Sequence, residues 1–434
     1  MAGGTWNTQN KVRPGAYVRV SSKGGIAPIE TTRGVATLPL ELDFGPEKEV
    51  VEVTELTDLT AFGYELSSPK LLLLREMLKR AASVLLYRVS SGGKATMTEG
   101  ELAITALYGG TRGNSINVIS KASVVTMGAF EVETFLDGRS VDVQRAYSIQ
   151  ELRSNQVVSF TGSGELTAFS VVLEGGSDAP TTGQDYATYF EKVQLFDFNT
   201  MALPIRDSGL KIAGAAFINR LRDEEGKMCQ LVLSGYDANS EAVINVKNGV
   251  ILTDGTVLTA EQATAWVAGI SASAGVAQSL TYTTYDDAID VSPRLLNSET
   301  IEALQKGEFV FTEKRGEAVI EQDINSLHEF SLDKNKFFAK NRVLRVLDDI
   351  ANNSKKMFED NFIGKVNVDT DGLELFKADR IAYFDSLQAV GAITGFVADD
   401  ITVLPGGEKD SVLLNVVVQP VDAMEKLYMT VKVV

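Results

Sequence analysis

The run Ser83-Val84-Leu85-Leu86-Tyr87-Arg88-Val89-Ser90-Ser91-Gly92-Gly93 sets the architecture in one short passage. Residues 83–88 read as a buried strand. Residues 72–82 before it are helical in character, and Ser90-Ser91-Gly92-Gly93 behind it is a small, flexible break of the kind that lies at domain boundaries. A second break runs from Gly175-Gly176-Ser177-Asp178 through Ala179-Pro180-Thr181-Thr182-Gly183. Between the two, residues 92–177 read as strands: 102–107, 116–119, 130–135 and 168–173, several alternating apolar and polar, with Asp137-Gly138 as a turn. This segment is expected to be a small β-sandwich or barrel.

Outside it, helix and strand alternate. Tyr186, Phe190 and Val193 recur at helical spacing, residues 212–222 form a helix that stops at Gly226, and residues 228–233 begin a strand. Thr259-Ala260-Glu261-Gln262 is a capping box, and the helix it starts carries Trp266. Asn297 or Ser298 is expected to cap a helix ending at Gly307. Val343, Val346, Leu347, Ile350, Met357 and Phe358 share one face of the longest helix. The fold class is therefore mixed: an α/β or α+β core with an inserted all-β domain and extended terminal strand arms. The expected divisions are an N-terminal arm at 1–22, core at 23–91, β-domain at 92–177, core at 178–410 and a C-terminal strand arm at 411–434.

Composition narrows the function. A chain of 434 residues suggests about two to four domains at roughly 100–200 residues each. Its net charge of −17 argues against sequence-independent nucleic-acid binding, which neutralises phosphates with Lys and Arg. One cysteine, Cys229, cannot make an internal disulfide and reads as a buried thiol. One histidine, His328, removes most metal sites and most acid–base chemistry near neutral pH. The first eight residues lack a hydrophobic signal core, and the longest apolar stretches fall far short of the ~20 residues of a membrane helix. A soluble protein of a reducing compartment, with no membrane span, is expected.

Catalytic motifs fail one by one. There is no G-x-x-x-x-G-K-[ST] phosphate loop, and Gly109-Gly110-Thr111-Arg112-Gly113 is a β-domain turn. Gly269-Ile270-Ser271-Ala272-Ser273 lacks the second glycine of a nucleophile elbow, and His328 is the sole candidate base for either serine. Asp369-Thr370-Asp371-Gly372 opens like a calcium loop, but its twelfth position is Arg380 rather than glutamate. Trp266 reads as core. No catalytic residue, metal or cofactor is expected.

The two ends carry the most information. Ala16, Val18 and Val20 face one way and Tyr17 and Arg19 the other, with the strand period of two. A polar stretch of about a dozen residues with nothing to pack precedes them. Residues 413–419 form a strand. After Pro420 and a short segment at 422–426, Leu427-Tyr428-Met429-Thr430-Val431-Lys432-Val433-Val434 forms another, with Leu427, Met429, Val431 and Val433 on one face. Its row of backbone donors and acceptors needs partners. Pairing within its own sheet and strand addition onto a neighbouring subunit both satisfy it.

Here the sequence resembles the contractile tail sheath proteins of bacteriophages and phage-like particles. The resemblance is carried by Glu321-Gln322-Asp323-Ile324-Asn325-Ser326-Leu327, by Lys340-Asn341-Arg342-Val343-Leu344-Arg345-Val346-Leu347-Asp348, by Ile363-Gly364-Lys365-Val366-Asn367 and by Val418-Gln419-Pro420-Val421-Asp422-Ala423-Met424-Glu425-Lys426-Leu427-Tyr428. Tyr108-Gly109-Gly110-Thr111-Arg112-Gly113-Asn114 resembles that family's glycine-rich turn, and Arg13-Pro14-Gly15-Ala16-Tyr17 its opening motif. The resemblance is strongest over the C-terminal half. It implies stacked rings around an inner tail tube, assembled in a metastable extended state in the bacterial cytoplasm and triggered at a baseplate, with a terminator at the far end. It also implies that the β-domain projects outward and that the terminal arms complete sheets in neighbouring subunits. The residues expected to take part in that exchange are Arg13, Tyr17, Val18, Arg19, Val20, Val416, Val418, Leu427, Met429, Val431 and Val433. A soluble enzyme or binding protein with an inserted β-domain is the alternative, and it has no need of such arms. A tail tube subunit is a closer competitor, but tube proteins are usually shorter and lack the α/β core.

Overall fold

The structure, a computed structural model, describes residues 2–4, 15–17 and 33–433. The chain divides into two compact units, one of residues 37–78 and 83–196, the other of residues 79–82 and 197–434 with the N-terminal residues to 36.

In the first unit Ser83–Arg88 is buried at every position and pairs antiparallel with Val50–Val53, Val50 opposite Tyr87 and Val53 opposite Val84. Helix Gly183–Val193 buries Tyr189, whose hydroxyl lies 2.8 Å from that of Thr37. Residues 92–178 form two four-stranded sheets. One is ordered Arg139–Ala146, Phe130–Leu136, Ile116–Ala122, Phe169–Val172; the other is Val158–Gly162, Leu102–Gly109, Gly92–Glu99, Ser177–Asp178. Inward positions alternate as the period of two requires: Leu102, Ile104 and Ala106 share a core with Val118, Val132, Leu136, Val158 and Val171. The all-β segment is thus a sandwich. Phe44 joins this core and meets Tyr108 edge-on at 5.4 Å.

Gly92 and Gly93 correct the reading of a flexible break. They begin a strand and pair with Asp178 and Ser177, so the entry and exit of the sandwich are zipped together. A Cβ on Gly92 would stand 2.1 Å from the Ser177 carbonyl oxygen; glycine is needed there for close backbone approach, a use that sequence alone cannot separate from flexibility. Gly110 has φ +125°, and a Cβ there would lie 1.9 Å from the Asp43 carbonyl oxygen. The glycine-rich turn therefore seats backbone on backbone.

In the second unit four parallel strands run in the order Thr200–Ala202, Gln230–Ser234, Val243–Val246, Glu308–Phe309. Helices Ser208–Glu225 and Ala260–Ser273 pack on them. The first ends at Gly226 in the left-handed conformation; the second starts at the Thr259–Gln262 capping box. Trp266 is core as expected, stacked on Tyr285 at 4.1 Å, with its Nε1–H donating to Asp286 at 2.8 Å. Helix Asn297–Gln305 differs in its cap. Leu296 holds that position and its N–H donates to Glu299 at 2.7 Å. The carboxylate three residues on satisfies the helix start, so neither Asn297 nor Ser298 is needed. Asp369 caps helix Thr370–Ala389 by accepting from Gly372 N–H at 2.9 Å, which accounts for the calcium-like opening. Helices Asn341–Asn361 and Thr370–Ala389 bury Val346, Tyr383, Phe384 and Leu387 with Ile393, Phe396 and Ile401. Among the described residues no helix is long and apolar enough to cross a membrane.

Candidate assembly interface

Residues 321–327 and 340–348, two of the segments that carry the resemblance, meet in a buried polar network. On helix Asn341–Asn361, Asn341, Arg345 and Asp348 recur at i, i+4 and i+7 and therefore share a face. The Asp323 carboxylate accepts from Arg345 Nη2 at 2.5 Å, from Asn341 Nδ2 at 3.0 Å and from Leu280 N–H at 3.0 Å. Asp323 and Arg345 are 1% and 2% exposed, so each charge needs the other. Asn325 is equally buried; its amide donates to the Phe338 carbonyl at 2.7 Å and accepts from Leu327 N–H at 3.1 Å. Asp348 accepts both ends of the Arg222 guanidinium at 2.7 and 2.8 Å, the fork geometry that makes such pairs strong. These contacts hold residues 321–327 against helix Asn341–Asn361.

The network continues into the C-terminal segment. Thr281 Oγ1 accepts from Asp323 N–H at 3.1 Å and donates to Glu425 Oε1 at 2.9 Å. Gln322 Nε2 donates to Glu425 Oε2 at 2.6 Å, and Lys340 Nζ pairs with the same oxygen. Burial alone would push the Glu425 carboxyl up; hydrogen bonds from Lys340, Gln322 and Thr281 outweigh it and hold the group below its ordinary value. Upstream, Ile401–Pro405 and Val412–Val416 form a two-stranded antiparallel hairpin with Val416 opposite Ile401. Among the described residues no third strand joins either edge. Val418 packs between two apolar clusters, Pro420 bridges Ile393, and Val421 N–H donates to the Ala392 carbonyl at 2.9 Å.

Among the described residues, none beyond Glu425 takes part in strand pairing. Leu427 is 85% exposed, Tyr428 90%, Met429 75%, Val431 73% and Val433 95%. The strand expected from the alternation at 427–433 is absent as a paired element among the described residues; an extended sequence without a partner forms no ladder. Of the other expected exchange residues, Val416 lies in its own hairpin and Val418 is half-buried. Tyr17 sits in strand Gly15–Tyr17, which pairs in parallel with Ala2–Gly4, Tyr17 opposite Gly4. Residues 2–4, part of the polar stretch expected to have nothing to pack, thus form a strand. Arg13, Val18, Arg19 and Val20 lie outside the described residues. Sequence reasoning missed the Glu425 clamp, although Gln322, Lys340 and Glu425 all stand in the segments quoted above.

The histidine and serine candidates keep local partners. His328 Nδ1 lies 3.0 Å from the Ser326 carbonyl, Ser273 Oγ bonds Ile270 O at 3.3 Å, and Ser271 is buried in its helix. Cys229 is buried, and burial pushes its thiol up to about 12.

Similarity to known proteins extends along the whole chain. The phage tail sheath protein central domain matches residues 179–326 and the phage tail sheath C-terminal domain residues 333–434. The tail sheath protein Gp18 domain III N-terminal region matches 33–89, and the phage tail sheath protein beta-sandwich domain 90–178. The chain is 38% identical over 466 aligned residues to the phage-like element PBSX protein XkdK of Bacillus subtilis, covering 100% of both. The sheath tail protein of Desulfitobacterium hafniense superposes with a TM-score of 0.84 at 43% identity, over 96% of this chain and 100% of that one. The anti-feeding prophage helical sheath in its contracted state shares the fold, with a TM-score of 0.57 at 13% identity over 97% and 99% of the two chains. Sequence and fold together place the chain in the phage tail sheath family.

Proposed function

We propose that copies of this chain polymerise into a helical sheath around an inner tail tube and shorten it on a baseplate signal, driving the tube through a target envelope. Sheath assembly takes place in the host cytoplasm, and a terminator protein closes the end distal to the baseplate. The subunit has no enzymatic activity of its own. Contraction runs downhill from a stored extended lattice, an equilibrium biased by subunit contacts rather than by a ligand. Subunits are linked by exchange of residues 13–20 and 427–433 onto a sheet of a neighbour, and the open-edged hairpin of Ile401–Pro405 and Val412–Val416 is the acceptor. Residues 92–177 are a removable insertion.

The observation that carries this reading is the C-terminal segment: alternating, strongly apolar and left in solvent from Leu427 to Val433. Exposed apolar rows of this kind are docking elements. Each main-chain hydrogen bond gained on exchange contributes ~0.5–1.5 kcal/mol net, and each of Met429 and Val431 about 1.5–3 kcal/mol when fully buried. Such arms matter for assembly far more than for folding. The test is electron microscopy of purified full-length protein beside a variant lacking residues 1–22 and beside Val431→Pro, which removes a ladder donor. Full-length protein should form long hollow tubes without nucleotide, and both variants should stay soluble, cooperatively melting monomers. Normal tubes from either variant would contradict strand exchange.

A further inference from the structure

We infer that Glu425 is the fixed root of the C-terminal arm and, with Lys340, positions residues 427–433 for capture by a neighbour; this rests on the strand-exchange reading above. Backbone hydrogen bonds tie the chain to the body as far as Val421. Among the described residues beyond it, the backbone makes no further bond to the body. Met424 is fully exposed and Leu427 nearly so, yet between them the Glu425 side chain is 12% exposed. It reaches back to three separate segments, through Thr281 at 2.9 Å, Gln322 at 2.6 Å and the Lys340 ammonium. Lys340 also lies 3.8 Å from Asp422, so one cation gathers two carboxylates of the same short segment.

A chain pinned at residues 421 and 425 leaves the body in one direction, and the free arm begins at Lys426. Releasing Glu425 moves the last fixed point back to Val421 and lengthens the tether by half. The local concentration of the arm falls roughly as the −3/2 power of tether length, about twofold, and its direction is lost as well. The clamp stands on a rigid base, because Thr281 is itself fixed by Asp323 N–H at 3.1 Å and Asp323 by Arg345 at 2.5 Å.

The experiment compares full-length protein with Glu425→Ala, Lys340→Ala and the double variant. Arm position is read by pulsed EPR between spin labels at Thr430→Cys and Ser386→Cys in dilute subunits, and assembly by the concentration at which tubes appear. The expected result is a narrow distance distribution for the parent and a broad one for either single variant. The tube-forming concentration should rise at least about twofold, with the double variant no worse than the singles and melting unchanged throughout. An unchanged distribution in Glu425→Ala overturns the inference. So does a broadened distribution with tubes at the parental concentration, or a loss of melting temperature that accounts for the assembly defect. A chain ending at Lys426 keeps the clamp and lacks the arm; normal tubes from it would remove the strand-exchange reading instead.

Discussion

Replacing Asp323 by alanine strips Arg345, Asn341 and the Leu280 amide of their shared acceptor. With Arg345 only 2% exposed, its charge cannot turn to water. Removing one partner of a buried pair costs about 3–5 kcal/mol, because the remaining charge is uncompensated. The two orphaned amide donors would each add about 1–3 kcal/mol in isolation, but all three belong to one site and do not sum. A loss of ~3–5 kcal/mol is a large share of the ~5–15 kcal/mol that a domain has. Swapping both partners for apolar residues, Asp323→Leu with Arg345→Met, removes the orphaned charge and should recover at least ~1 kcal/mol of that loss. Urea unfolding followed by fluorescence of the buried Trp266 reads the unit concerned, on a chain ending at Lys426 so that polymerisation does not intrude. A loss below about 1 kcal/mol for Asp323→Ala would show that the polar network is not what holds residues 321–327 against helix Asn341–Asn361.

Other outcomes can be measured on the same protein. Since the folded Glu425 carboxyl is held below its ordinary value of 4.5, the clamp is at full strength above that pH. It weakens as pH falls through the lowered folded value; the Thr430–Ser386 spin-label distance distribution, narrow above pH 4.5, should broaden in that acid range. Cys229, buried and with its thiol pushed up to about 12, should react with iodoacetamide near neutral pH far more slowly than a free thiol. It should label at the free rate only in urea. Replacing residues 92–177 by a short Gly/Ser linker closes a gap whose ends are already paired, Gly93 opposite Ser177. Phe44 loses its cover at a cost of about 1.5–3 kcal/mol, so the shortened chain should stay soluble and assemble; an insoluble product would show the boundary misplaced. Gly110→Ala, forced into φ +125° against the Asp43 carbonyl, should lower the melting temperature of the first unit by destabilising it about 1–3 kcal/mol.

What could be read from the sequence follows from how local its causes are. Helix Ala260–Ser273 begins where Thr259 and Gln262 say it must, because a capping box is complete within four residues. The strands of the sandwich were legible because inward and outward positions alternate within each. The helix at 297–305 was legible in extent but not in its cap, since Leu296 is satisfied by Glu299 rather than by its own side chain. Gly92-Gly93 was misread because the Ser177 carbonyl that demands glycine there lies some eighty residues away in sequence. The Glu425 clamp was invisible for the same reason. Its partners are 85, 103 and 144 residues distant, and a lone glutamate among exposed neighbours gives no local signal. The alternation at 427–433 predicts a strand, but the described residues give that stretch no partner, and what a strand pairs with is not local information.

Strand exchange stands on residues 427–433, and a single comparison isolates them. Full-length chain and a chain ending at Lys426 would be sedimented across the same concentration series and the pellets imaged by negative stain. Strand exchange predicts tubes from the first and a non-sedimenting subunit of equal melting temperature from the second. Tubes of the same length and stability from both would contradict it.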